Sequence, residues 1–105
     1  MYYVTIIQPS GEVTTTHQPA APDYTQLQSA VGGLIETVPY FDTYKKKPCV
    51  AFCNEEGKLE GLEFNLGASI AWSVALGVPF PAMVDYLVGP VCIVSADTRA
   101  ELREL

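Results

Sequence analysis

The sequence predicts an α+β fold: a mainly antiparallel sheet of about five strands packed by two short helices, in a single domain over residues 1–105. Three observations carry this. β-branched and aromatic runs recur with turn signals between them. Two segments with helical spacing each begin on a capping residue and stop on glycine. A chain of 105 residues has room for one hydrophobic core and no second.

Residues 2–8 (YYVTIIQ) and 12–17 (EVTTTH) are strand formers on either side of Pro9-Ser10-Gly11, the pattern of a β-hairpin. Residues 18–22 (QPAAP) break the pattern as a loop. Asp23 reads as a helix N-cap, with Gln26 three residues on completing a capping box. Tyr24, Leu27 and Val31 follow at helical spacing, and Gly32-Gly33 closes the helix. Residues 34–38 (LIETV) form a strand, residues 39–47 a loop, and residues 49–53 (CVAFC) another strand. Residues 54–58 (NEEGK) turn the chain, with Gly57 placed for a positive φ. Asn65 caps a helix over residues 66–76, a task in which Asp would serve nearly as well. Gly77 and Pro79 stop that helix. Residues 79–81 read as extended, while residues 83–88 fit a helical turn or a strand equally. Residues 91–94 (VCIV) form a buried strand. Residues 98–105 read as a short helix or a frayed tail.

Apolar residues make up 49% of the chain and charged residues only 17%. So short a chain has too much surface to bury all of that apolar area alone, which points to a homo-oligomer. The 66–76 helix strengthens the expectation. It is apolar nearly all round and needs cover on more than one side, from a second subunit or from whatever fills a groove. Trp72 on this helix is expected in the core or at that interface. Six Lys and Arg against twelve Asp and Glu leave a net charge of -6, which argues against a nucleic-acid partner. No apolar run approaches the ~18 residues a membrane span needs, and the first residues lack a signal-peptide pattern. A cytoplasmic protein is expected.

Catalytic and metal chemistries find little support. Cys49 and Cys53 share a predicted strand, which sets their Cα atoms roughly 13 Å apart, beyond disulfide reach. Three cysteines with the single His17 fit a zinc site badly, so Cys49, Cys53 and Cys92 read as buried free thiols. His17 lies in a Thr-rich hairpin strand and reads as a surface residue. No nucleophile elbow, P-loop or dinucleotide fingerprint is present. Glu55, Glu56, Glu60 and Glu63 read as a solvated turn rather than a carboxylate pair. Nothing calls for a cofactor. Lys45-Lys46-Lys47 is the one basic run, and it lies beside Tyr40 and Tyr44. These five residues, with Asn54, form the candidate site for an anionic ligand; lysines guarding an apolar strand against aggregation are the alternative.

The blocks V-G-G-L-I-E-T-V (31–38), A-F-C-N-E-E-G-K-L-E-G-L (51–62), Asn65 and V-G-P-V-C-I-V (88–94) carry a resemblance. They are similar to a family of small proteins of unknown function found in phages, plasmids and other mobile elements. Leu66 stands where members of that family often carry a basic residue. The resemblance supplies no catalytic residues. It implies a phage or mobile-element setting, in the cytoplasm of the host cell, where small accessory proteins act against host defence. The reading that follows is a non-catalytic binding protein that sequesters a small anionic nucleotide-type signal. An inhibitor of a host defence protein is the runner-up, and an enzyme using lone carboxylates the third.

Overall fold

A computed structural model describes residues 1–105, and its order of elements follows the predicted one closely. Strands β1 (Tyr2–Ile7) and β2 (Val13–Gln18) form the first hairpin, and Gly11 takes the positive φ of 95° that its three-residue loop requires. Helix α1 (Tyr24–Val31) follows, then β3 (Ile35–Thr37), β4 (Thr43–Tyr44), β5 (Lys47–Asn54), helix α2 (Leu66–Leu76) and β6 (Val91–Ala96). The sheet order is β2-β1-β6-β5-β3, every pairing is antiparallel, and β4 pairs with the start of β5. The last strand in the chain thus lies in the middle of the sheet.

Strand periodicity sorts the core into two halves. On one face α1 sets Leu27 and Val31 against Tyr2, Val4, Phe52, Cys92 and Val94. On the other, α2 sets Ala68 and Trp72 against Ile7, Phe41, Cys49, Ala51, Val91 and Ile93. β6 contributes to both and is buried along its whole length, which explains its unbroken apolar run. A radius of gyration of 12.7 Å agrees with the roughly 13 Å expected of one compact body of this length.

Both helix caps form as expected. Asp23 accepts a 2.8 Å hydrogen bond from the Gln26 amide, and Gly32 closes α1 in the left-handed conformation at φ 78°. The capping box does not close, because the Gln26 side chain exchanges hydrogen bonds with Gln18 at the end of β2. Asn65 caps α2 by accepting from the Ala68 amide at 3.0 Å, and Gly77 ends that helix.

Several expectations are corrected. Gly57 is not left-handed; the positive φ of that turn falls on Gly61, at 70°. Residues 80–82 are a 3-10 turn rather than extended chain. Residues 83–88 hold only an isolated bridge from Val88 to Phe64. The C-terminal segment, left open as a short helix or a frayed tail, is a docked 3-10 helix, Ala100–Glu104. Leu102 is buried against the α1 side, the Tyr2 hydroxyl donates to the Glu101 carbonyl, and the N-terminal ammonium lies 2.8 Å from the Glu101 carboxylate. Trp72 is a core residue whose indole N–H donates to the Pro39 carbonyl. The opposite side of α2 has no cover from its own chain: Leu66, Ile70 and Val74 are exposed there. No helix is long and apolar enough to cross a membrane.

Candidate functional site

Strand β5 has a concave region at each end, and five of the six candidate residues divide between them. At its C-terminal end a cleft of about 270 Å³ lies between β3, the turn after Asn54, Trp72 and residues 85–88. Glu36, Glu55 and Asp85 face it against a single cation, Lys58. The Lys58 ammonium is hydrogen-bonded to the Asp85 carboxylate and sits 4.3 Å from the Tyr86 ring centroid. That hydrogen bond raises the Lys58 pKa and lowers that of Asp85. Asn54 lies here too, buried, its Oδ1 accepting from the Glu56 amide at 2.8 Å. It works as the post of a turn. A Cβ at Gly33 would come within 2.8 Å of its Nδ2, so glycine at that position makes room for it.

The second region is an open hollow of about 640 Å³ between the β4–β5 hairpin and the outer side of α2. Tyr44 and the three lysines line one wall, with Thr43 and Pro48, and Ala71 and Val74 form the floor. The hairpin turn is Tyr44-Lys45-Lys46-Lys47, with Tyr44 paired to Lys47. Its two central residues are left-handed, Lys45 at φ 48° and Lys46 at φ 68°. This is the type I′ pattern, which strongly prefers Asn-Gly because both central residues need positive φ. Tyr40 is the third non-glycine residue of the chain with positive φ, at 59°. It is exposed after Pro39, apart from the residues lining either concavity.

The lysines do not act as a block. Lys47 lies on the α2 side of the sheet, 2.8 Å from an Asp97 oxygen and 4.9 Å from the Tyr3 ring centroid. Its hydrogen bond to Asp97 raises the Lys47 pKa and lowers that of Asp97. Arg99 donates to the Asp42 and Cys49 carbonyls and so fastens the 42–49 hairpin to the C-terminal segment. Lys45 and Lys46 therefore remain side by side with no carboxylate partner, the Lys45 ammonium 5.5 Å from the Tyr44 ring centroid. Arg99 and Arg103 also lack ion pairs, but Arg99 is spent on those two carbonyls and Arg103 lies in the C-terminal 3-10 helix.

The fold brings Tyr44, Lys45, Lys46 and Lys47 together and leaves Tyr40 outside the hollow. Asn54 is seven residues along β5 from Lys47, about 23 Å at strand rise. The residues that sequence reasoning missed are Ala71 and Val74, the floor of the hollow. Their signal was the apolar outer side of α2; what lay opposite it was set by long-range packing.

All three cysteines are free. Burial pushes the thiols of Cys49 and Cys92 up to about 12 and that of Cys53 to about 11. At neutral pH they are protonated and poor nucleophiles. His17 is exposed on β2, its ring 6.4 Å from that of Tyr3.

No curated protein and no solved structure matches this chain. A family model does, and it covers every residue from 1 to 105. Its description is a domain of unknown function, and the chain belongs to that family, DUF3846.

Proposed function

We propose that this chain is a non-catalytic binding protein that holds a small anionic ligand of nucleotide type in the hollow beside the β4–β5 hairpin. The observation that carries the reading is the pair Lys45-Lys46: adjacent, free of intramolecular ion pairs, and held in a left-handed turn. Keeping non-glycine residues in that conformation costs on the order of 1 kcal/mol each, a cost often found where a turn serves a site. An anion approaching a chain of net charge -6 needs a local positive field, and this tip supplies one. Phosphate oxygens would meet the two ammonium groups, while Tyr44, Ala71 and Val74 offer an apolar surface to a base. In the phage or mobile-element setting that the sequence blocks suggest, such a protein would work in the host cytoplasm, sequestering a nucleotide-derived defence signal. A second reading, inhibition of a host defence protein, draws on the exposed Leu66, Ile70 and Val74 of α2.

Titration calorimetry with mono-, di- and cyclic nucleotides tests the proposal. The native chain is expected to bind at least one of them and to return it intact by mass spectrometry. K45S/K46S is expected to weaken binding at least about tenfold, the scale of a lost charge-assisted contact, with the melting temperature nearly unchanged. Full-affinity binding by that variant, or no nucleotide binding at millimolar concentration, would overturn the site. Conversion of the ligand would overturn its non-catalytic character.

A further inference from the structure

The two edges of the sheet are built differently. β3 offers three residues, one of them Glu36, and Pro39 follows soon after. Short, charged edges next to proline resist pairing with another chain. β2 offers six residues, Val-Thr-Thr-Thr-His-Gln, with no charged side chain and no proline. Its side chains from Val13 to His17 are exposed on both faces, because α1 and α2 lie over the middle of the sheet. Only β1 holds it.

The direction of its free backbone groups follows from the hairpin. Gln8 donates to the Glu12 carbonyl at 2.8 Å, so Gln8 and Glu12 are a hydrogen-bonded pair. Such pairs alternate along an antiparallel ladder. In the observed register Thr14, Thr16 and Gln18 then bond to β1, and Val13, Thr15 and His17 turn their N–H and C=O groups outward. The Thr5–Thr15 pair fits this assignment: it falls at a non-hydrogen-bonded position, where side chains come closest, and its hydroxyl oxygens are 2.9 Å apart.

We infer that β2 is a self-association edge, and that two copies of this chain pair antiparallel through it about a two-fold axis at Thr15. In that register Thr15 meets Thr15 of the second copy, and Val13 meets its His17. All the outward backbone groups are then hydrogen-bonded. The arrangement is self-complementary, which an isologous dimer demands. It also avoids like charges in a chain of net charge -6. The central pairs are uncharged, and Glu12 at the rim falls opposite Gln18. The exposed Val13 side chain gains cover from the His17 ring. The joined sheet ends on a β3 at both sides, so growth stops at two copies.

On the opposite face this register sets Thr14 against Thr16 of the second copy, which gives a test by charge exchange. Sedimentation of the native chain is expected to give twice 11.4 kDa at micromolar concentration. T14K/T16K and T14E/T16E each place like charges directly opposite one another and are expected to weaken the dimer at least about tenfold. Mixed in equal amounts, the two variants are expected to recover the dimer as a heterodimer, a result that misfolded variants cannot give. Amide hydrogen exchange at Val13, Thr15 and His17 should be slow in the native chain and in the mixture, and fast in each variant alone. A native chain that stays monomeric overturns the inference. So does a dimer that both variants leave intact, which would move the contact to the exposed side of α2, and so does a mixture that fails to pair.

Discussion

Asn65 and the Lys45-Lys46 turn are both polar features at the ends of elements, and the protein treats them in opposite ways. Asn65 is fully buried, and both ends of its amide are engaged. Its oxygen caps α2 through the Ala68 amide, while its nitrogen donates to the Ile7 and Gly89 carbonyls, each at 2.8 Å. It therefore ties the end of β1, the approach to β6 and the start of α2 into one junction. The two lysines keep their donors for solvent and sit in a backbone conformation that costs energy. The difference teaches how to read a polar residue here. One whose partners are all intramolecular serves the fold; one left unpaired in a strained turn is available to something else.

The largest expected effect comes from breaking the saturated member. Asn65→Asp keeps the capping oxygen but removes the donor and turns a carboxylate toward two carbonyls in a buried site. A loss of about 4 kcal/mol is expected, against about 3 for Asn65→Ala. This reverses the order that a cap alone implies, and urea denaturation of both variants measures it. If Asp proves the milder change, the junction is weaker than its geometry. A smaller loss, about 1–2 kcal/mol, is expected of Gly33→Ala, whose Cβ would crowd the Asn54 amide and disturb the turn it holds. The smallest effect has the opposite sign. K45N/K46G gives the type I′ turn its preferred residues and is expected to stabilise the chain by about 1 kcal/mol in total. Thermal melting reads that gain. A loss of stability instead would mean that the lysines support the hairpin, which would dissolve the contrast with Asn65.

Much of the fold was legible because it rests on local rules. The Asp23 and Asn65 caps, the glycine stops after both helices and the strand-forming runs each draw on chemistry within a few residues. What escaped was set by distant partners. The cap role of Asn65 could be read from its position, but its two carbonyl partners belong to Ile7 and Gly89, 58 and 24 residues away in sequence. Gln26 left the capping box for Gln18 because two amides can exchange hydrogen bonds across the gap from α1 to β2. The positive φ expected at Gly57 fell on Gly61 because Gly57 lies at the start of the turn, with its amide bonded to the Asn54 carbonyl. The candidate site was half legible for the same reason. The basic run marked the hairpin, while the pairing of Lys47 with Asp97 and the distance to Asn54 depend on how β5 lies in the sheet.

The placement of β6 governs the order in which the molecule can assemble. β6 pairs Tyr2 with Ala96 on one side and Cys49 with Ser95 on the other, so it joins two parts of the chain that form separately. Before it docks, the β1–β2 hairpin and the β3–β5 group have no strand between them, and both core clusters lack their central apolar residues. Closing that gap requires contacts spanning nearly the whole sequence, which places folding toward the slow end of the range for small domains. On a ribosome the sheet stays open until the segment around Val91 has emerged. Until then the inner edges of β1 and β5 are exposed to any neighbouring strand, so this interval is when the chain is most prone to mispair.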